Sequence, residues 1–249
     1  MQHRLVSLLH RVWHSQYQGF VLLALMLLVM PGTLLAKQTV LVMGDSLSAA
    51  YNLPAEQGWV AMTAARMKTS HPNWRVVNAS ISGETTSGGL SRFPAALKQH
   101  KPNLVIIELG ANDALRGLPL AMSRKNLQSM IRQAKAAKAK VLLIGMQMPP
   151  NYGKIYTEGF ANNYRDLAKQ EKTAFLQFLL QPIATDRKYF LPDQVHPNAK
   201  GQVKLRDHVW VVLKGMLSGR TPVFARMLPL IIRADTRDCS YQNHWHADV

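Results

Sequence analysis

Short, mostly apolar runs alternate along this chain with longer stretches in which apolar residues recur every three or four positions. The runs fall at residues 39–43, 75–79, 104–109, 141–144 and 175–180. Each is too short for a buried helix and carries no polar alternation, so each predicts a strand covered on both faces. Between them, Trp59, Met62 and Met67 place a helix over 59–68, closed by His71-Pro72-Asn73. Leu90, Phe93 and Leu97 mark a second helix, with Pro94 opening its regular part because proline suits a first turn. A lysine-rich helix over 123–140 turns Leu127, Met130, Ile131 and Ala134 inward. Tyr156, Phe160, Tyr164 and Leu167 follow helical spacing, and a last helix from about Ala199 carries Leu205, Val209, Val212, Leu213 and Met216 on one face. Five strand–helix alternations predict an α/β fold. Its sheet is five-stranded and parallel, with right-handed crossovers and helices on both faces, a three-layer α/β/α sandwich in the flavodoxin-like order 2-1-3-4-5.

The pattern fails at both ends. Residues 20–30 are continuously apolar, Arg4 and Arg11 precede them, and Pro31-Gly32 and then Leu34-Leu35-Ala36 follow. This is the layout of a secretory signal peptide over residues 1–36, and the run is short for a membrane span, which needs about 20 apolar residues. The reading places the protein in the periplasm or outside the cell. Residues 218–249 lack periodicity and read as a disordered tail. Cys239, His244 and His246 fall there at spacings that match no metal site. The domain is therefore expected over 37–217.

Composition changes this picture in two ways. Cys239 is the single cysteine, so no internal disulfide can form. The net charge is +16, of which +14 stays on residues 37–249. A basic surface attracts nucleic acid, anionic lipid headgroups or acidic polymers. No nucleic-acid motif accompanies the scattered basic residues. The charge reads as a solvated face that permits transient contact with an anionic membrane surface.

The chemistry sits where strands end. Gly44 breaks the first strand and presents Ser46 at its C-terminal end, where open α/β sheets place their ligands. A serine hydroxyl is a poor nucleophile without a base and without donors for the oxyanion. His196 is placed to take its proton, and Asp193, three residues earlier, to fix the imidazole tautomer. The N–H groups of Ser46 and Gly83 and the side-chain amide of Asn112 would hold the oxyanion. Any one of these residues alone is a turn, a cap or a loop residue. Their joint occurrence at successive strand ends is what points to acyl transfer.

Gly-Asp-Ser-Leu-Ser at 44–48 resembles the signature of the GDSL esterases. Gly83, Gly-Ala-Asn-Asp at 110–113 and Asp193-Gln-Val-His196 resemble the remaining blocks of the SGNH hydrolase superfamily. Leu-Arg-Gly at 115–117 and Pro-Pro-Asn-Tyr-Gly at 149–153 look closest to its bacterial arylesterase, acyl-CoA thioesterase I and lysophospholipase L1 group. The resemblance spans roughly residues 38 to 217. It implies a metal-free, cofactor-free serine mechanism with an acyl-enzyme intermediate, acting on a small-molecule acyl ester or thioester. Ala50 and Ala111 stand where glycine is usual. Pro149, Pro150, Asn151 and Tyr152 are expected to shape an acyl groove, and a monomer is favoured. Two other readings remain at this point: a carbohydrate O-deacetylase on the same scaffold, and a non-catalytic basic binder of anionic lipid or envelope polymer.

Overall fold

The computed structural model describes residues 37–218. The leader and tail readings lie outside the described residues. Among those described, no helix is long and apolar enough to cross a membrane.

Five parallel strands form one sheet in the order β2-β1-β3-β4-β5, as the alternation predicts. They are β1 (Gln38–Gly44), β2 (Trp74–Asn78), β3 (Leu104–Glu108), β4 (Lys140–Ile144) and β5 (Ala174–Leu176). Register is set by pairs such as Val40–Val76, Val40–Leu104, Ile106–Leu142 and Leu143–Phe175. The central strands β1 and β3 have no exposed residue after Gln38, which is why they read as continuous apolar runs. The edge strand β2 is only partly buried.

Six helices complete the layers: α1 (Trp59–Ser70), α2 (Thr86–His100), the short α3 (Ala111–Leu115), α4 (Leu120–Ala136), α5 (Lys154–Glu171) and α6 (Ala199–Leu217). α1 packs with α6 on one side of the sheet, while α4 lies between α2 and α5 on the other. The inward residues expected on α4 and α5 are buried, except Tyr156, which is partly so. On α6, Val212 is likewise only partly buried. On α1, Val60 and Thr63 take the inward place expected of Met62; the Thr63 hydroxyl donates to the Trp59 carbonyl at 2.7 Å.

Three local expectations need correction. Pro94 lies inside α2 rather than at its start, because the helix is capped nine residues earlier: the Thr85 hydroxyl accepts the Gly88 N–H. The fifth strand stops at Leu176 instead of reaching Leu180. Gly145 donates to Leu176 and accepts from Leu179, so the chain folds over the end of β4. A side chain at Gly145 would meet the Gln177 carbonyl. The run at 110–113, expected as loop, continues into α3, with Gly110 as its N-terminal cap residue.

Every strand runs towards the same edge. The segments that follow β1, β2, β3 and β4, and the loop before α6, therefore gather the candidate site residues there.

Candidate active site

Gly44 ends β1 where no side chain fits: a Cβ would stand 2.7 Å from Ser48 Cβ and 2.9 Å from Ser80 Oγ. The chain then turns sharply through 45–51. Asp45 Oδ1 accepts the Leu47 N–H at 3.0 Å, and the Asp45 carbonyl accepts the Ala49 N–H. That local ring holds the turn and leaves the Ser46 N–H with no protein acceptor among the described residues.

Ser46 Oγ lies 2.9 Å from His196 Nε2, and His196 Nδ1 lies 2.8 Å from Asp193 Oδ2. With Nδ1 donating to the carboxylate, Nε2 is the acceptor for the serine hydroxyl. The other Asp193 oxygen accepts the N–H groups of Val195 and His196 at 2.9 and 3.0 Å. Desolvation pushes the Asp193 carboxyl up. The His196 and Val195 N–H groups and the imidazole outweigh it, so the acid sits below its ordinary value and stays ionised. Gln194, between the two, takes a left-handed φ of 58°, which closes the loop tightly enough for both side chains to face Ser46.

Gly83 holds φ +77°, a conformation that disfavours any other residue, and its N–H also donates to no protein acceptor among the described residues. Arg116 Nη2 donates to the Gly83 carbonyl at 2.9 Å and ties this loop to the end of α3. Asn112 Nδ2 donates to Asp45 Oδ2 at 3.2 Å, leaving its second amide hydrogen free. Its neighbour Asp113 is buried and accepts from the Thr86 N–H (2.8 Å), the Thr86 hydroxyl and the Ser123 hydroxyl (3.1 Å). Those bonds lock the segment carrying Asn112 to α2 and α4. The arrangement offers a nucleophile, a base held by a carboxylate, and three donors, which together can carry acyl transfer.

The expected groove residues Pro149 to Tyr152 follow β4 on the same edge, where residues 150–152 form a 3-10 turn with Tyr152 exposed. Tyr156, just beyond, donates to the Ala114 carbonyl at 3.1 Å and joins this loop to α3. Ala111 fits as an ordinary helical residue, whereas Ala50 adopts φ 58° in the left-handed region.

Sequence reasoning assigned no role to Asp45, Glu108, Tyr51 or Arg116. Asp45 and Glu108 form a buried acid pair beneath the nucleophile turn. Glu108 Oε2 accepts the Ser48 hydroxyl at 2.7 Å and the Asp45 N–H at 3.5 Å. Burial, and then the Asp45 charge, push the Glu108 carboxyl well above its ordinary value. Burial raises Asp45 to about 6, against the pull of the Leu47 N–H, His196 and Asn112. Tyr51 stacks on the His196 imidazole with ring centroids 4.3 Å apart. A glutamate inside the apolar run 104–109 was the one readable sign of the acid pair.

The profile of the GDSL-like Lipase/Acylhydrolase family matches residues 42–204. The chain belongs to that family, whose members hydrolyse acyl esters. It is 49% identical over 182 residues to the esterase TesA of Pseudomonas aeruginosa, covering 73% of this chain and 90% of the relative. It is 37% identical over 195 residues to the thioesterase 1/protease 1/lysophospholipase L1 of Escherichia coli, covering 78% and 89%. The psychrotrophic esterase EstA of a Pseudoalteromonas species, solved in a form inhibited by monoethylphosphonate, superposes with a TM-score of 0.70. It is 37% identical and covers 73% of this chain and all of its own. The family hydrolyses ester bonds, and this chain is an enzyme of that class.

Proposed function

We propose that the protein is an exported serine esterase and thioesterase for aliphatic acyl esters, lysophospholipids among them. The observation that supports this best is the continuous hydrogen-bonded line from Ser46 through His196 to Asp193. His196 takes the Ser46 proton as Oγ attacks the acyl carbonyl. The oxyanion is received by the N–H groups of Ser46 and Gly83 and by the free amide hydrogen of Asn112. His196 then returns the proton to the leaving alkoxide or thiolate, and the acyl chain remains on Ser46 as an ester. Water, activated by the same imidazole, releases the acid. Asp193 holds the imidazole and stabilises its charged form throughout.

An aliphatic acyl chain suits the apolar side chains exposed at this edge. Tyr51, Ile81, Leu115, Tyr152, Ile155 and Val195 come from four strand-end segments and the His196 loop. They flank the groove assigned to Pro149, Pro150, Asn151 and Tyr152. The leader at 1–36 supports export.

The test is hydrolysis of p-nitrophenyl acetate, butyrate and octanoate by residues 37–249 and by the Ser46→Ala variant. Rates that rise with chain length and vanish in the variant uphold the reading. Activity confined to acetate moves the assignment to a deacetylase, and wild-type rates in Ser46→Ala overturn the mechanism.

A further inference from the structure

In a parallel sheet with returning helices, every strand begins and every helix ends at the edge opposite the active site. That edge carries ten of the 24 lysines and arginines among the described residues. Lys37 precedes β1, Arg75 is the second residue of β2 and Lys140 begins β4. Lys68 closes α1, Lys98 and Lys101 close α2, Lys138 follows α4, Lys169 and Lys172 close α5, and Lys214 lies in the last turn of α6. All but Lys140 are exposed, and none of these lysines takes part in an ion pair among the described residues. The acidic residue among these helix ends, Glu171, is occupied by Arg132 at 2.8 Å and Gln128 at 2.7 Å. The acids Asp45, Glu84, Asp113, Asp186 and Asp193 lie at the other edge, where they are accompanied by Arg116, Lys154, Arg187, Lys188 and Lys200.

Lysine at a helix C-terminus complements the macrodipole, but that does not account for this pattern. Lys37, Arg75 and Lys140 belong to strand starts. Lys101, Lys138 and Lys172 occupy left-handed backbone, at φ 43°, 61° and 49°, just past α2, α4 and α5. Glycine is the unstrained residue at such positions. The chain carries a lysine at all three.

We infer that this edge docks on an anionic phospholipid bilayer, with Ser46 directed away from the lipid towards soluble substrate. The cations are spread over the ends of five helices and the starts of three strands, forming a broad face that suits a plane of headgroups. They are lysines almost throughout, point charges rather than the bidentate forks that read nucleic acid. The exposed aromatic rings that could stack on bases, Tyr51 and Tyr152, stand at the opposite edge. The inference does not depend on the chemistry at Ser46.

The test uses residues 37–249, which include every described residue. It measures co-sedimentation with vesicles of phosphatidylcholine alone and of phosphatidylcholine with phosphatidylglycerol. Binding is expected only to the anionic vesicles, and it falls steeply between about 50 mM and about 300 mM salt. The triple variant K101G/K138G/K172G removes three charges and relieves three strained positions, so it folds at least as well as the parent. It is expected to bind anionic vesicles at least about tenfold more weakly, with unchanged hydrolysis of p-nitrophenyl butyrate. Equal binding to both vesicle types overturns the inference, as does wild-type vesicle binding by the triple variant. A short DNA duplex that outcompetes the vesicles overturns it too, and assigns the edge to nucleic acid.

Discussion

Asp45 aims Asn112. One oxygen of its buried carboxylate accepts an amide hydrogen of Asn112 at 3.2 Å, while the other accepts the Leu47 N–H at 3.0 Å across the nucleophile turn. A single side chain thus sets two of the three proposed oxyanion donors, the Asn112 amide directly and the Ser46 N–H through the turn that contains it. Asp45→Asn keeps the shape but offers one acceptor oxygen. It must either release Leu47 or present an NH2 group to the NH2 of Asn112. The expected result is a fall in kcat of about 100-fold, the size of losing one oxyanion donor, with KM little changed. Steady-state kinetics of Asp45→Asn, Asn112→Ala and the double variant check this. Asp45→Asn should add much less in the Asn112→Ala background, since its partner is already gone. Fully additive losses would sink the idea.

The same acid pair gives the fold an unusual pH dependence. The folded value of Asp45 is raised to about 6, above the ordinary unfolded value near 3.9. Its stabilising contribution is therefore complete below about pH 3.9 and is lost as pH rises through 6. The size is up to about 3 kcal/mol. Asp193 runs the other way: its lowered value gives stability that is present above the unfolded value and lost as pH falls further. The groups facing Asp45 are Glu108 on β3, Asp113 and Asn112 on α3, and His196 before α6. Urea unfolding between pH 4.5 and 7.5 should show the wild type losing stability relative to Asp45→Asn across that window. Parallel curves would contradict the assignment.

How much of this was legible depended on whether a signal was local. The strands at 39–43 and 104–109 were legible because central parallel strands are buried on both faces, and the sheet order followed from the alternation. Ser46, Gly83, Asn112, Asp193 and His196 were legible because each sits in a short block at a strand end. Pro94 misled because proline marks a first turn on average, while the Thr85 cap had already fixed the start of α2. The end of β5 was not legible because it is set by Gly145, just past the end of β4. Asp45 and Tyr51 were passed over because their roles exist only after folding, when Asn112 arrives 67 residues on and His196 arrives from before α6.

Tyr51 is the exposed wall of the imidazole. Its ring lies 4.3 Å from that of His196, tilted by 33°, while its N–H donates to the Ser46 carbonyl. A ring in this place restrains the imidazole and favours its charged form in the transition state. Stacking of this kind is worth about 0.5–1.5 kcal/mol. Tyr51→Ala should therefore lower kcat/KM about 3- to 10-fold, and Tyr51→Phe should retain wild-type rates. Measuring both on p-nitrophenyl butyrate decides the matter. A loss in Tyr51→Phe as large as in Tyr51→Ala would shift the role from the ring to the hydroxyl.

Ala50, one residue earlier, tests how the chain tolerates its departure from the usual glycine. At φ 58° an alanine carries about 1–2 kcal/mol of left-handed strain. Two effects offset this. The Ala50 methyl is buried and fills the space beside Gly58, where an added Cβ would meet it at 2.7 Å; burying one such group contributes about 0.8 kcal/mol. Alanine also restricts the unfolded chain relative to glycine, worth about 0.4–1 kcal/mol. The terms nearly cancel, so Ala50→Gly should change unfolding stability by less than about 1 kcal/mol and leave kcat intact. Gly58→Ala presses two methyl carbons together at the start of α1 and should destabilise clearly, by about 1–3 kcal/mol for such overpacking. In the double variant Ala50→Gly/Gly58→Ala the clash disappears, and much of the lost stability should return. Urea unfolding of the three variants measures the coupling, and a double variant no more stable than Gly58→Ala alone would show that the Ala50 methyl is not what excludes a side chain there.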